Sequence, residues 1–431
     1  MKKLLYSFYQ NICTIKTEFK KPGDFTCPSH DVCCPDCGHT VCLPEIRNGQ
    51  NAHCPICHHQ LISISYSPYL SPIAFSTAAL IFMFLSFCFT FMGVQVGAAS
   101  FYLSLPEAAG LLFKDEYDFL ANILLIFLFA APLMFLLSNL FVYHSLYFKH
   151  DTQYLDKFMF LVVKIKPWVM IDIFVISVFV AMVKIRSVAD MHFGLSFWAL
   201  ICFSLCLVRS SIFVHPHWLY FQLKQLKTPD FQPHKAENHA LACKECFFFN
   251  DATQKTCTVC HHSLRKRAPK SIQITLALLI SAIILYFPAN LFPMMITITP
   301  FNYIATNILE GIIYMWNNDS KFIAAVIFSA SLMVPLVKMV AIVILLISAK
   351  IKPLAPALVL TKLYRIIEFI GRWSMVDVFV VVLMVTLVQI PGAKVLPGEA
   401  VMYFCAVVVL SMIAVTKFDI RLVWDKIVKD K

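Results

Sequence analysis

The chain has 431 residues, 59% of them hydrophobic and only 14% charged, against about 25% charged in an ordinary soluble domain. The apolar excess lies in long runs, which excludes the soluble globular classes and predicts a polytopic membrane protein. The net charge of +11 gathers in a few loops beside those runs, which is a positive-inside distribution and not a nucleic-acid footprint.

Residues 1–26 are polar and basic and are expected to form an N-terminal arm. They carry no cleavable-signal pattern, because the apolar stretch after Lys2 and Lys3 is broken by Ser7 and Gln10; targeting is expected from an internal span. Residues 27–66 hold a four-cysteine module. A first transmembrane module, 67–214, follows, with spans expected near 72–94, 120–143, 168–184 and 195–213 and a short turn through Arg186 and Asp190. Residues 215–242 read as a polar linker rich in His, Lys, Gln and Pro. A second four-cysteine module occupies 243–270. A second transmembrane module, 271–417, has spans near 272–296, 322–348, 373–389 and 399–416, and a charged tail, 418–431, ends the chain.

The plan is one unit written twice. WVMIDIFVISVFVAMVK at 168–184 aligns without a gap on WSMVDVFVVVLMVTLVQ at 373–389, pairing Trp168 with Trp373, Met170 with Met375 and Asp172 with Asp377. Pro132 and Pro335 also correspond. The expected fold is therefore all-α: two tandem four-helix transmembrane modules, each preceded by a small zinc ribbon. Lys149, Lys157, Lys164 and Lys166 share one side with Lys350, Lys352, Lys362, Arg365 and Arg372, which places that side, both ribbons and both termini in the cytoplasm. The stretch 350–372 has the pattern of an interfacial amphipathic helix.

The ribbons carry the sharpest chemistry. Cys34, Cys37, Cys54 and Cys57, then Cys243, Cys246, Cys257 and Cys260, form paired CxxC knuckles. Two knuckles bring four thiolates around one tetrahedral ion, and modules this small depend on the metal for most of their folding energy. A reducing compartment favours metal over disulfides. Cys33 competes with Cys34 as a ligand; Cys34 keeps the spacing of every other pair. His58, His59, His261 and His262 read as surface residues. Four thiolates close the coordination sphere, which points to structural zinc, with iron as the alternative.

Ionisable groups inside spans cost about 2.5–3.5 kcal/mol at mid-bilayer, so they are functional candidates. Lys338 lies deep in the sixth span and needs a carboxylate or water; Asp377 is the expected partner. Ser374 and Asp377 share a helix face, as do Ser331 and Lys338, and Ser411 faces the same region. Asp172 and Asp377 sit about one turn inside their spans, so they mark either the membrane interface or an internal cavity. The serines serve either a polar path or close helix packing. Pro288 and Pro293, in YFPANLFPMM, mark either a broken helix lining a cavity or a plain kink. No GxxxxGK[ST] loop is present, so any energy comes from a gradient or a partner.

These blocks resemble the paraquat-inducible protein A family, which includes lipophilic-envelope-spanning tunnel protein A. The resemblance rests on CPDC … LPEIRNGQNAHCPIC at 34–57, CKEC … CTVC at 243–260, RAPKSIQITLALLISAIILYFPANLFPMM at 267–295, GRWSMVDVFVVVLMVTLVQ at 371–389 and FDIRLVWD at 418–425. The second ribbon departs from the family pattern in lacking proline after its first and third cysteines. What the resemblance implies is a multi-pass protein of the Gram-negative inner membrane, not an enzyme. It would partner a periplasmic tunnel protein of mammalian-cell-entry domains and load or extract phospholipids at the tunnel's inner end. The residues themselves add a proton-coupled route, since the buried Lys338 and Asp377 are placed to carry protons. Two other readings compete: a passive anchor that docks the tunnel, and a rubredoxin-like membrane redox protein.

Overall fold

The computed structural model describes residues 25–27, 30–96, 99–114, 117–185, 190–229, 231, 233, 240–299, 302–317, 321–387, 389–390 and 393–429. Most of the expected N-terminal arm lies outside the described residues. So does Arg186, together with the rest of 186–189 in the turn after the third expected span.

The first repeat runs as follows. Helix α1 (Leu70–Cys88) leads into a hairpin of Met92–Val96 and Ala99–Leu103. Helix α2 (Leu105–Lys114) precedes α3, a continuous rod of Asp118–Leu125, a π-helical turn Ile126–Ala130 and Ala131–Tyr147. Then come α4 (Leu155–Ile165), a 3-10 turn Lys166–Trp168 and α5 (Ile171–Ile185). Strand Asp190–Phe193 joins the hairpin, and α6 (Leu195–Ile212) and α7 (Pro216–Lys227) complete the unit.

The second repeat copies this order. It has α8 (Ser271–Leu291), a hairpin of Met295–Thr299 and Asn302–Thr306, and α9 (Ile308–Asn317). The rod α10 is Lys321–Ile327, a π-helical turn Phe328–Met333 and Val334–Lys350. Helices α11 (Ala357–Trp373) and α12 (Met375–Leu387) precede strands Gln389–Ile390 and Ala393–Pro397, then α13 (Ala400–Lys417) and α14 (Arg421–Lys429).

Paired features show that the copies are built by the same rules. Each rod widens into a π turn just before Pro132 or Pro335. A helical proline lacks an N–H and crowds the carbonyl four residues back, and a wider turn relieves that crowding. Each post-hairpin helix begins with a reciprocal capping box. Ser104 N donates to Glu107 and Glu107 N to Ser104 Oγ; Asn307 N donates to Glu310 and Glu310 N to Asn307 Oδ1. Gly194 and Gly398 sit where the returning strand crosses the end of the first helix. A Cβ on either would fall 1.9 Å from a backbone oxygen, that of Thr90 or of Pro293, so only glycine fits.

Among the described residues, seven helical segments are long and apolar enough to cross a membrane. The seventh expected span, 373–389, instead contains the 13-residue helix α12. At ~1.5 Å per residue it is about 20 Å long, short of a ~30 Å hydrocarbon core. The chain breaks at Ser374, and strand Gln389–Ile390 takes over at the far end. The small sheets therefore lie at the end of the bundle opposite the ribbons and replace the plain loops expected there.

Two further differences concern the polar stretches. The expected linker 215–242 contains α7, whose Trp218, Leu219, Tyr220, Phe221 and Leu223 are buried. The expected charged tail contains α14, the same element in the second copy. Both are helices that close a repeat. Gln225 and Lys227 of α7 are exposed, whereas His217 and Arg421 point inward with the apolar residues.

Helix α1 packs on α6, α8 on α13, and α5 on α12. The last contact joins the halves. Phe174 and Phe379, the same residue of the two repeats, meet edge to face with centroids 5.5 Å apart. An approximate two-fold axis thus passes between them, as expected for parallel repeats. Outward, α8 exposes Ile280, Ile284, Phe287 and Leu291 along one stripe, a surface suited to lipid.

Candidate functional site

All four CxxC knuckles share one backbone geometry. The residue after the second cysteine adopts a left-handed conformation: Gly38 (φ 70°), His58 (57°), Phe247 (64°) and His261 (57°). Its N–H returns to the carbonyl of the first cysteine, at 2.9 Å for Gly38 to Cys34 and for His58 to Cys54, and at 3.1 Å for Phe247 to Cys243 and for His261 to Cys257. Three of these four are not glycine and carry roughly 1–2 kcal/mol of strain, accepted because the turn aims both sulfurs at one point.

The sulfurs converge accordingly. Cys34 and Cys57 lie 3.4 Å apart and Cys37 and Cys54 3.6 Å apart; Cys243 and Cys260 are at 3.4 Å and Cys246 and Cys257 at 3.5 Å. A Zn–S length of ~2.3 Å sets tetrahedral edges near ~3.8 Å, so both clusters fit such an ion. Cys33 is excluded, since its Sγ turns to the Cys34 carbonyl. Within each cluster the thiols share protons unequally: hydrogen bonds from Cys34, then Cys37 and Cys57, hold Cys54 far below the usual thiol range and those from Cys243, Cys246 and Cys260 do the same for Cys257, while hydrogen bonding to Cys37 raises Cys34 and burial raises Cys246. In the second ribbon Val259 N–H and Asn250 Nδ2 also donate to Cys257 Sγ at 3.4 Å.

The ribbons are docked, and the histidines help. Asp36, between two ligands of the first ribbon, accepts from His59 Nδ1 at 3.0 Å and from Arg365 Nε on α11 at 2.7 Å. Burial alone would raise its carboxyl; His59 and Arg365 outweigh that and hold it below the usual range. Arg365 Nη2 also donates to the Cys57 carbonyl at 3.0 Å. His217 on α7 bridges both ribbons, with Nδ1 2.8 Å from the Cys246 carbonyl and Nε2 2.8 Å from His30 Nε2. A carbonyl can only accept, so Nδ1 carries the proton and Nε2 accepts from His30. Burial, then the neighbouring His30, pushes His217 down to about 3, so it is neutral at physiological pH. Behind the ribbons, Arg267 clamps Asp425 through two hydrogen bonds, and Arg421 clamps Asp419 likewise.

Beneath the ribbons a cavity of about 570 Å³ opens between the halves. Its walls are supplied in equivalent pairs: Leu207 with Met412, Ser211 with Thr416, Lys166 with Gly371 and Pro167 with Arg372. It therefore lies on the repeat axis, and the Phe174–Phe379 contact closes that axis further in. Asp172, Arg365 and Glu368 complete its charged lining.

The polar residues expected to act together are placed as follows. Lys338 is buried in α10, and its Nζ has no hydrogen-bond partner; the expected ion pair with Asp377 is not made. Lys338 instead ends against the last turn of α11, where a Cβ on Gly371 would lie 3.3 Å from Nζ. The negative end of a helix dipole favours a cation there. Ser374 Oγ, at the break between α11 and α12, is likewise buried without a partner. Asp377 is buried in the first turn of α12, and Asp172 lies in the first turn of α5 on the cavity wall, both favourable for a carboxylate. Ser331 is buried in the π turn of α10. Ser411 spends its hydroxyl on Val408 O of its own helix. Pro288 lies inside α8 and Pro293 just beyond its end, so neither divides that helix into two.

The model of the family described as Paraquat-inducible protein A matches residues 70–224 and 272–428, one match on each repeat. The chain belongs to the paraquat-inducible protein A family. Intermembrane transport protein PqiA of Escherichia coli is 32% identical over 92% of this chain and 95% of its own length. Lipophilic envelope-spanning tunnel protein A of the same organism is 27% identical over 91% of this chain and 90% of its own. A probable intermembrane transport protein of Haemophilus influenzae is 26% identical over 91% and 95%. No solved structure matches. A transport-related role in a membrane follows from this membership.

Within this family member, Asp36, Arg365, His217, Gly371 and Arg372 were not singled out as site residues by sequence reading. One signal was available: Lys166 and Gly371 occupy the same repeat position, as do Phe135 and Lys338 counted from Pro132 and Pro335.

Proposed function

We propose that this chain is the inner-membrane subunit of an intermembrane lipid transport system. It stands at the base of a periplasmic tunnel of mammalian-cell-entry domains and loads phospholipids into it or extracts them from it. The ribbons hold zinc on the cytoplasmic side, where the lysine-rich loops also lie. The envelope-spanning tunnel in the name of one relative supports this reading.

The observation that carries it is the cavity on the repeat axis, closed by one residue and its own duplicate. A hollow shared by two like halves opens to alternate sides when the halves rock against each other. Lys338 supplies the ionisable element: an unpartnered buried ammonium is costly, so loss of its proton changes how α10 and α11 pack.

The test is transfer of labelled phospholipid between liposomes that hold this chain and its tunnel partner. Lys338→Met is expected to abolish transfer while partner binding persists. Normal transfer by that variant would favour a passive anchor and refute the coupled mechanism.

A further inference from the structure

We propose that the axial cavity is a headgroup site for an aminophospholipid, with Lys166 and Arg372 receiving the phosphate and Asp172 and Glu368 the ammonium. This rests on the lipid-transport reading and names its substrate.

The lining carries both signs of charge within one hollow. Lys166 spends one donor on the Val214 carbonyl at 2.8 Å, which fixes its ammonium and leaves two donors. Arg365 is not available, since Asp36 and the Cys57 carbonyl hold it. The side chains of Arg372, Asp172 and Glu368 make no hydrogen bond or ion pair among the described residues, although Glu368 feels the charges of Arg372 and Arg365 on its own helix. Unspent cations and carboxylates facing one cavity match a zwitterion that brings one charge of each sign. A purely anionic headgroup would meet the same cations but also two carboxylates, and like charges at close range are repulsive.

The remaining lining is apolar: Leu207, Val208, Ile212, Ile367, Met412 and Val415. It suits the glycerol end and the first part of the acyl chains. The volume of about 570 Å³ falls in the ~300–1,000 Å³ range of small-molecule pockets. The cavity is thus sized for a headgroup and chain roots, with the tails passing out between helices.

The experiment uses the full chain in detergent with zinc retained. Dioleoyl phosphatidylethanolamine, phosphatidylglycerol and diacylglycerol are offered at equal concentration, and bound lipid is counted by native mass spectrometry. Phosphatidylethanolamine is expected to exceed each of the others about tenfold. Arg372→Gln lowers its retention about tenfold, and Asp172→Asn moves the preference toward phosphatidylglycerol. Soluble glycerophosphoethanolamine displaces the lipid only at large excess, because the apolar lining is left unfilled. Displacement at equimolar concentration would identify a site for free phosphate esters and overturn the proposal. Equal retention of all three lipids by the unmodified chain overturns the headgroup site and leaves lipid transport standing. Failure to bind any lipid, together with no liposome transfer, overturns both.

Discussion

The two repeats have one fold and two different interiors. In the first, the unpartnered buried atoms are neutral: Asn139 Nδ2 donates to Ser76 and Ser210 at 3.0 Å and those hydroxyls lie 2.8 Å apart, while Asn139 Oδ1 and Trp218 Nε1 have no partner. Its rod carries Phe135 where the second carries Lys338. In the second repeat, Lys338 Nζ and Ser374 Oγ are buried without partners. Duplication preserved the packing, and only one copy kept a charge that its surroundings do not satisfy. A fold needs no such group, and among the described residues Lys338 is the buried ammonium without a hydrogen-bond partner.

The largest expected effect tests whether the two ribbons are equivalent. Cys34→Ser or Cys246→Ser should each remove one of two metal ions per chain, identified and counted by elemental analysis, because structural sites contribute about 10–16 kcal/mol. The serine at 246 should also loosen the His217 bridge, read as faster proteolysis near α7.

Next is the axis. Phe174→Ala and Phe379→Ala should destabilise alike, by about 3–5 kcal/mol each. The double variant should fall short of additivity by about 0.5–1.5 kcal/mol in thermal unfolding. Strict additivity would mean that the rings are not coupled.

Interchanging the rod residues sharpens the contrast between the halves. Lys338→Met should melt higher and lose transfer, whereas Phe135→Lys should melt lower, each by about 2.5–3.5 kcal/mol. A smaller difference separates the ribbon knuckles. Asp36→Asn should weaken docking by about 1.5–3 kcal/mol, through loss of charge-assisted bonds, while Glu245→Gln at the matching position should stay within about 0.5 kcal/mol. The smallest effect is expected of Gly371→Ala. Better helix propensity and crowding of Lys338 offset to within about 1 kcal/mol, yet transfer should slow severalfold.

The duplication was legible because Trp168, Met170 and Asp172 recur without a gap, and the metal clusters because CxxC spacing dictates knuckle geometry. The membrane ends were not. MITIT and NYIAT pair as a hairpin, but a short stretch rich in β-branched residues beside an apolar run also reads as its continuation. Helix α7 was hidden because the surrounding 215–242 stretch is rich in Lys, Gln, His and Pro, while its apolar residues are packed into the short run Trp218–Phe221 with Leu223 and Leu226. The Lys338–Asp377 pairing was inferred from facing spans. Gly371 decided otherwise, by leaving room for the ammonium against a helix end; only its repeat position opposite Lys166 marks it in the sequence.

Phe174 and Phe379 are both fully buried, so neither ring can swing aside while its neighbours stay packed. A contact made of a side chain and its own copy has no hinge of its own. Separating the two rings requires the two repeats to part as whole units, along the line where one copy of the fold meets the other.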